Sequence, residues 1–165
     1  MVQQRRKTEE DEINMRNFMR EGDLLVAEIK SVSYAEKMIG LHIRNERFGR
    51  LGRGYLVEVN NCLVRKTKSQ FVEHKGVQFI FGMNGFVWLA PASGELGADY
   101  LEVAAKFRNL LLLLNESFVS IGPDFLFEVN GALGEYRARD LLVPENREKI
   151  LEKVRGISRN KGSKI

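Results

Sequence analysis

The sequence predicts an α+β protein in two parts, a β-rich first part followed by an α+β part that ends in helices. Three observations lead to this fold class. Short apolar runs with strand-like alternation fill the first part of the 165-residue chain. Near the middle, Asn84 and Gly85 separate two strongly apolar runs, which is a strong hairpin signal. An apolar stripe with helical spacing then covers residues 99–115.

The first part is predicted to begin with a helical lead-in segment over residues 1–20. Within it, residues 6–20 carry acidic side chains early and arginines late, which matches the helix dipole. Glu21, Gly22 and Asp23 interrupt this pattern. Strands are then predicted at residues 24–29, 38–43 and 55–59.

The second part is predicted to begin near residue 61 and to be built around the central hairpin. Its predicted elements are strands at 77–81 and 86–89, a helix at 99–115, a strand or the end of a buried segment at 125–129, and a short helix at 135–142. Pro144 suits the first turn of a last helix that ends near Gly156. Residues 156–165 are then predicted to form a basic disordered tail.

Positive charge is concentrated in particular segments of the chain. The net charge is +4, and residues 44–68 hold seven basic and two acidic side chains. Localised positive charge suits a polyanion because contacts with phosphates release counterions. No apolar run approaches the roughly 20 residues that span a bilayer, so no membrane partner is expected. A single cysteine, Cys62, indicates a reducing compartment and is expected to be packed.

The reactive side chains predict neither an enzyme nor a cofactor. The two histidines, His42 and His74, lie in different segments without carboxylates or thiols at metal-ligand spacing. The glycine-rich segment at residues 48–54 lacks the Lys-Ser/Thr ending of a phosphate-binding loop, and it leads into a strand rather than a helix. We therefore predict no catalytic residue, no metal site and no cofactor.

The loop at residues 44–54 has the composition of a surface that contacts RNA. Arginine recurs at every third position, and aromatic residues lie between the arginines or follow them. Guanidinium groups bind phosphate or stack on bases, and aromatic rings stack on bases. An equally good interpretation is that the apolar residues anchor the loop while the arginines meet a protein partner. The residues concerned are Arg44, Arg47, Phe48, Arg50, Arg53 and Tyr55.

Gly82, Asn84 and Gly85 form a Gly-x-Asn-Gly sequence similar to the RNA-clamping loop of KH domains. That clamp joins two helices, whereas this sequence joins two apolar strands. We therefore predict a structural turn at these three residues. Trp88, which alternates with Phe86, is predicted to lie in the core.

Five segments together resemble one family, the cap subunits of the eukaryotic RNA exosome of the ribosomal RNA-processing protein four type. The segments are MRNFMREGDLL (15–25), LHIR (41–44), FGRLGRG (48–54), LVRK (63–66) and GMNGFVW (82–88). The resemblance is specific from about residue 9 to residue 90. It implies an S1-type OB-fold domain and a KH-type α/β domain.

The resemblance implies the C-terminal strands of a partial S1 domain at residues 21–60 and a KH domain at 61–155. An OB-fold needs five strands and only about three precede residue 61, so the chain is expected to lack an N-terminal part of the family. The implied RNA-binding or ring-contact residues are Arg44, Arg47, Phe48, Arg50, Arg53, Arg65, Lys66 and Lys68.

The implied function is that of a non-catalytic, RNA-binding subunit. Such a subunit stabilises a ring of nuclease-like proteins and guides RNA 3′ ends into its channel for 3′→5′ processing and degradation, including rRNA processing. The implied partners are single-stranded RNA, the ring subunits and other cap subunits. The implied location is the nucleus, with its nucleolus, and the cytoplasm. Two alternatives are a stand-alone S1/KH RNA-binding regulator and the sister KH cap subunit.

Overall fold

A computed structural model describes residues 14, 16–17, 19–43, 47–94 and 97–162, with side chains described through Arg159. The chain divides into two compact units, the first ending at Gly52 and the second beginning at Arg53. The predicted boundary near residue 61 was therefore too late. Residues 55–58 carry strand-forming side chains, but their hydrogen-bonding partner lies in the second unit.

The described residues of the first unit form two small antiparallel sheets. Strands β1 (Leu25–Val26) and β4 (Gly49–Arg50) pair with each other, and β2 (Glu28–Ser33) pairs with β3 (Met38–His42). A turn at residues 34–37 joins β2 to β3. The predicted single strand at 24–29 is instead split into β1 and the start of β2.

The predicted lead-in helix lies mostly outside the described residues. Asn14, Arg16 and Asn17 are helical, whereas Met19 and Arg20 are not. The helix ends there because a turn follows, in which the Asp23 carboxylate accepts the backbone N–H of Arg20 at 2.8 Å. Gly22 occupies this turn with a φ of 93°, a left-handed conformation that glycine adopts without steric cost.

The second unit contains a four-stranded antiparallel sheet in the order β5-β8-β7-β6. Its strands are β5 (Tyr55–Glu58), β6 (Phe71–His74), β7 (Val77–Phe81) and β8 (Phe86–Pro91). The predicted hairpin of β7 and β8 is confirmed. Strand β6 was missed, because its sequence is short and half polar, and its pairing with β7 defines it.

Three α-helices follow the sheet, α1 (Ala98–Glu116), α2 (Pro123–Ala132) and α3 (Pro144–Gly162). Short 3-10 helices lie at Asn61–Leu63 and Ala138–Leu142. The strand predicted at 125–129 was wrong. Gly122 is the N-cap of α2 and Pro123 begins it, and proline is favoured at the first position of a helix.

The predicted disordered tail was also wrong for the residues that the structure describes. Helix α3 continues past Gly156 to Gly162. Ile150 and Val154 are fully buried and Ile157 packs against the same core, so the apolar stripe continues across the glycine. A glycine inside a helix costs only about 1 kcal/mol, which this packing offsets. Residues 163–165 lie outside the described part.

The core of the second unit lies between the sheet and the helices. Phe79 stacks edge-on against Phe107 at a centroid distance of 4.8 Å, and Phe127 completes this aromatic cluster. The predicted apolar stripe of α1 faces this core, and Trp88 is buried as predicted. The largest fully buried side chains are Val77, Phe79, Phe81, Leu89, Phe107, Leu110, Leu111, Leu114, Ile121, Leu126, Leu133 and Ile150.

Candidate nucleic-acid interface

Part of the arginine-rich loop is folded onto the first unit. Gly49 and Arg50 pair with β1, and the N–H of Leu51 donates to the carbonyl of Leu24 at 2.8 Å. The Arg50 guanidinium lies 3.1 Å from the carboxylate of Asp23, whose side chain is only 14% exposed. Arg50 therefore has a structural partner, while 62% of its side chain remains accessible.

The other arginines of this loop are divided between the two units. Arg47 is exposed and Phe48 is half-buried in the first unit, and both make further contacts. Arg53 is exposed in the second unit. Arg44 lies outside the described residues. The regular three-residue spacing in the sequence thus spans a domain boundary, so it does not by itself define one surface.

A second basic segment precedes β6 and includes Arg65, Lys66 and Lys68. All three are exposed. The backbone N–H of Arg65 donates to the carbonyl of Ile121 at 2.8 Å, and its Nε donates to the Ser120 hydroxyl at 2.7 Å. These two bonds hold Arg65 against the loop that joins α1 to α2, so its position is better defined than that of an ordinary surface arginine.

The Gly-x-Asn-Gly sequence forms a tight turn, as predicted. The N–H of Gly85 donates to the carbonyl of Gly82 at 3.1 Å, and Asn84 Oδ1 accepts the N–H of Phe86 at 3.2 Å. Of the Asn-Gly pair only Gly85 has a positive φ, of 91°, whereas the hairpin signal in the sequence suggested that both residues could.

Gly85 also contacts the segment that follows β5. Its carbonyl accepts the N–H of Val59 at 2.8 Å, and a Cβ at this position would lie 2.3 Å from the carbonyl oxygen of Val59. No side chain fits there. The turn therefore contacts the backbone of its own domain.

Sequence reasoning missed two exposed residues near the second basic segment. Cys62, predicted to be packed, is exposed, because it lies on the short 3-10 helix Asn61–Leu63. Phe118, just after α1, is 79% exposed. No local signal marked Phe118, because a phenylalanine next to an apolar helix is ordinarily buried.

Two titratable groups of the second unit have pKa values shifted by burial, and both hydrogen-bond within the fold. Burial lowers the pKa of Lys106, which donates to the carbonyl of Leu133 at 2.8 Å. Burial also raises the pKa of Tyr100, whose hydroxyl donates to the carbonyl of Leu89 at 3.1 Å. Within the described residues, no group of three or more His, Cys, Asp or Glu could hold a metal ion.

Comparison with known proteins matches both units. A family model described as "RRP4, S1 domain" matches residues 1–31, and one described as "KH domain" matches residues 54–95. "Exosome complex component RRP4" of Mus musculus is 32% identical over 92% of this chain. The chain belongs to the RRP4 family.

Other RRP4 relatives agree with this assignment. "Exosome complex component RRP4" of Bos taurus is also 32% identical over 92% of the chain. The protein of the same name from Saccharomyces cerevisiae is 37% identical over 54% of the chain and 25% of its own length. The chain spans about half of the two mammalian relatives, 56% of each.

The RRP4 matches also bear on the alternatives. The S1 match is specific to RRP4 by its description, which distinguishes this chain from the sister KH cap subunit. The KH match contains the Gly82–Gly85 turn and begins at residue 54, close to the start of the second unit. In the described part of the chain, no helix has the length and apolar character needed to cross a bilayer.

Proposed function

We propose that this chain is the non-catalytic, RNA-binding part of an exosome cap subunit. In this role it stabilises a ring of nuclease-like subunits and guides single-stranded RNA 3′ ends into the channel for 3′→5′ processing and degradation. Its partners are RNA, the ring subunits and other cap subunits, in the nucleus, its nucleolus and the cytoplasm. The observation that carries the proposal is the alignment of 92% of the chain with proteins named as exosome components.

The distribution of exposed positive charge supports the RNA-binding half of the proposal. Arg53, Lys66 and Lys68 are exposed and form no ion pair with the described residues. Cations without a protein counterion are the groups that gain most from contact with phosphate. On the first unit, Arg47 is exposed and makes further contacts, and Arg50 is partly neutralised by Asp23.

The geometry of the Gly-x-Asn-Gly turn supports a passive role as well. Because Gly85 contacts the backbone of Val59, the turn is not available to clamp a nucleotide. Basic side chains can supply the RNA contact instead, because they bind the phosphate backbone without reading sequence. Such contacts suit a subunit that guides many different RNAs toward nuclease subunits.

The proposal can be tested with two charge-reversal variants of matched size. In the first, Arg47→Glu is combined with Arg53→Glu, and Arg50 is left unchanged because of its ion pair with Asp23. In the control, Lys149→Glu is combined with Arg155→Glu on the exposed face of α3. Both change the net charge equally, so a difference between them reports the location of the charge.

The tagged chain is expressed in eukaryotic cells, and its partners are identified by mass spectrometry, with RNA affinity measured in parallel. We expect wild type and control to recover ring subunits, and the loop variant to lose ring recovery, RNA affinity or both. RNA affinity should also fall steeply with salt. A wild-type chain that binds RNA yet never recovers ring subunits would instead indicate a stand-alone regulator.

A further inference from the structure

Helix α1 ends in a Schellman motif. The N–H of Val119 donates to the carbonyl of Leu114 at 2.9 Å, and the N–H of Phe118 donates to the carbonyl of Asn115 at 3.1 Å. Phe118 occupies the left-handed position of this motif, with a φ of 54°. Glycine is the usual residue there, because a Cβ atom disfavours this backbone conformation.

The fold gains little from the ring of Phe118 in return for this strain. The side chain is 79% exposed, so it contributes little apolar burial. A bulky residue in a left-handed conformation is uncommon, and such strain often marks a functional position. The motif would close equally well around glycine, which indicates that the aromatic ring serves a purpose other than ending the helix.

A basic residue is held against the chain segment that carries Phe118. Ser120, two residues further on, accepts the Nε–H of Arg65 at 2.7 Å. Because two residues span at most about 7 Å, the Cα atom of Phe118 lies within that distance of the Cα atom of Ser120. Lys66 follows Arg65 and is exposed. The nearest acidic residue along α1, Glu116, is paired with Arg147 at 2.7 Å.

We infer that Phe118 and Arg65 form a nucleotide subsite for single-stranded RNA on the second unit. The ring offers a stacking face to one base, and the guanidinium, held through its Nε, directs its terminal nitrogens toward a phosphate. Lys66 adds charge to the same site. The inference rests on the RNA binding in the proposed function. The concentration of cations beside an exposed ring favours a polyanion over a protein partner.

The test uses the whole 165-residue chain and a fluorescein-labelled 12-nucleotide oligouridylate, with affinity measured by fluorescence anisotropy. Phe118→Gly removes the ring and relaxes the backbone, so its melting temperature should not fall. Its Kd should rise about tenfold, the effect expected of one lost base stack. Tyr34→Gly removes another strongly exposed ring, from the turn between β2 and β3, and should leave Kd unchanged.

Phe118→Trp provides a direct signal, because an indole also stacks on bases. It should keep wild-type affinity, and its fluorescence should be quenched by the oligonucleotide. The native Trp88 is buried and serves as the background in wild type. A Phe118→Trp protein that binds RNA without quenching would contradict stacking at this position.

The remaining outcomes separate this subsite from the proposed function. If Phe118→Gly binds RNA as wild type does while Arg47→Glu/Arg53→Glu is weakened, the subsite is wrong and the proposed function stands. If Phe118→Gly keeps its RNA affinity but no longer recovers the subunits of the nuclease-like ring, the Phe118 side chain contacts a protein and the inference fails. If the wild-type chain binds no oligonucleotide, the subsite and the RNA-binding proposal both fail.

Discussion

The two units differ in how far they bury apolar side chains of the same kinds. In the first unit, the β2–β3 hairpin leaves Ile29 61% and Leu41 54% exposed. In the second unit, Phe79, Leu89 and Leu110 are completely buried between the sheet and the helices. Alternation of apolar residues therefore predicts a strand in both units, but it does not predict whether anything covers the strand.

This difference locates the stability of the chain. A two-stranded hairpin is at best marginally stable alone, whereas a larger sheet that packs against helices supports itself. Among the described residues, the buried hydrophobic side chains all belong to the second unit, from Val57 to Val154. We therefore expect substitutions in the second unit to lower the free energy of unfolding strongly, and matched substitutions in the first unit to leave it nearly unchanged.

The largest effect should come from a matched pair of leucine substitutions. Leu110→Ala removes a fully buried side chain and should lower the free energy of unfolding by about 2–5 kcal/mol. Leu41→Ala removes an exposed one and should change it by less than about 0.5 kcal/mol. Urea unfolding monitored by circular dichroism measures both. Equal losses would mean that the hairpin is covered in solution and that the contrast between the units is mistaken.

A smaller effect should come from two glycines of the second unit that both have positive φ. Gly94→Ala (φ 77°) meets no atom within 4 Å, so it should cost only the left-handed strain of about 1–2 kcal/mol. Gly85→Ala (φ 91°) adds a clash with the carbonyl oxygen of Val59. Its loss of stability should exceed that of Gly94→Ala in the same urea titration. A smaller loss at Gly85 would show that the turn is not the tight internal contact described above.

The smallest effect should be a pH dependence that belongs to the histidine of the second unit. Burial, with a smaller contribution from Lys75, lowers the pKa of His74 below its ordinary 6.5, and its ring stacks on Phe127 at 4.2 Å. The unfolded chain therefore takes up this proton first, so stability should fall as the pH drops below about 6.5.

Substituting each histidine in turn tests this assignment. His74→Phe keeps an aromatic ring and should remove that part of the pH dependence, measured as the melting temperature between about pH 8 and pH 5. His42→Gln, in the first unit, should keep it. A melting curve of His74→Phe that falls with acid as steeply as that of wild type would assign the effect to other groups.

The elements with strong local signals were predictable from the sequence. The hairpin β7–β8 followed from its Asn-Gly pair, and α1 followed from a stripe that repeats over five turns. Helix α2 was mistaken for a strand because Phe125, Phe127 and Val129 alternate as strand residues do. Phe125, Leu126 and Val129 also fit a helix, and the Gly122-Pro123 start decides between the two.

The candidate site was predictable in composition and not in arrangement. The basic character of residues 44–68 is plain in the sequence, but the pairing of Arg50 with Asp23 and of Arg65 with Ser120 depends on tertiary contacts. The exposure of Phe118 could not be predicted from the sequence either, because a phenylalanine next to a buried helix ordinarily lies in the core. The strand β5 illustrates the same limit, since only its partner β8 shows which unit it joins.

The position of β5 also has a practical consequence for dividing the molecule. Any fragment that starts at residue 61 would lack β5, the edge strand of the four-stranded sheet, and would leave backbone hydrogen-bonding groups of β8 unpaired. An exposed strand edge of this kind promotes aggregation, because another chain can pair with it. The start of the second unit is also tightly packed, because a Cβ at Gly54 would lie 2.7 Å from the Trp88 ring, which leaves no space for a methyl group.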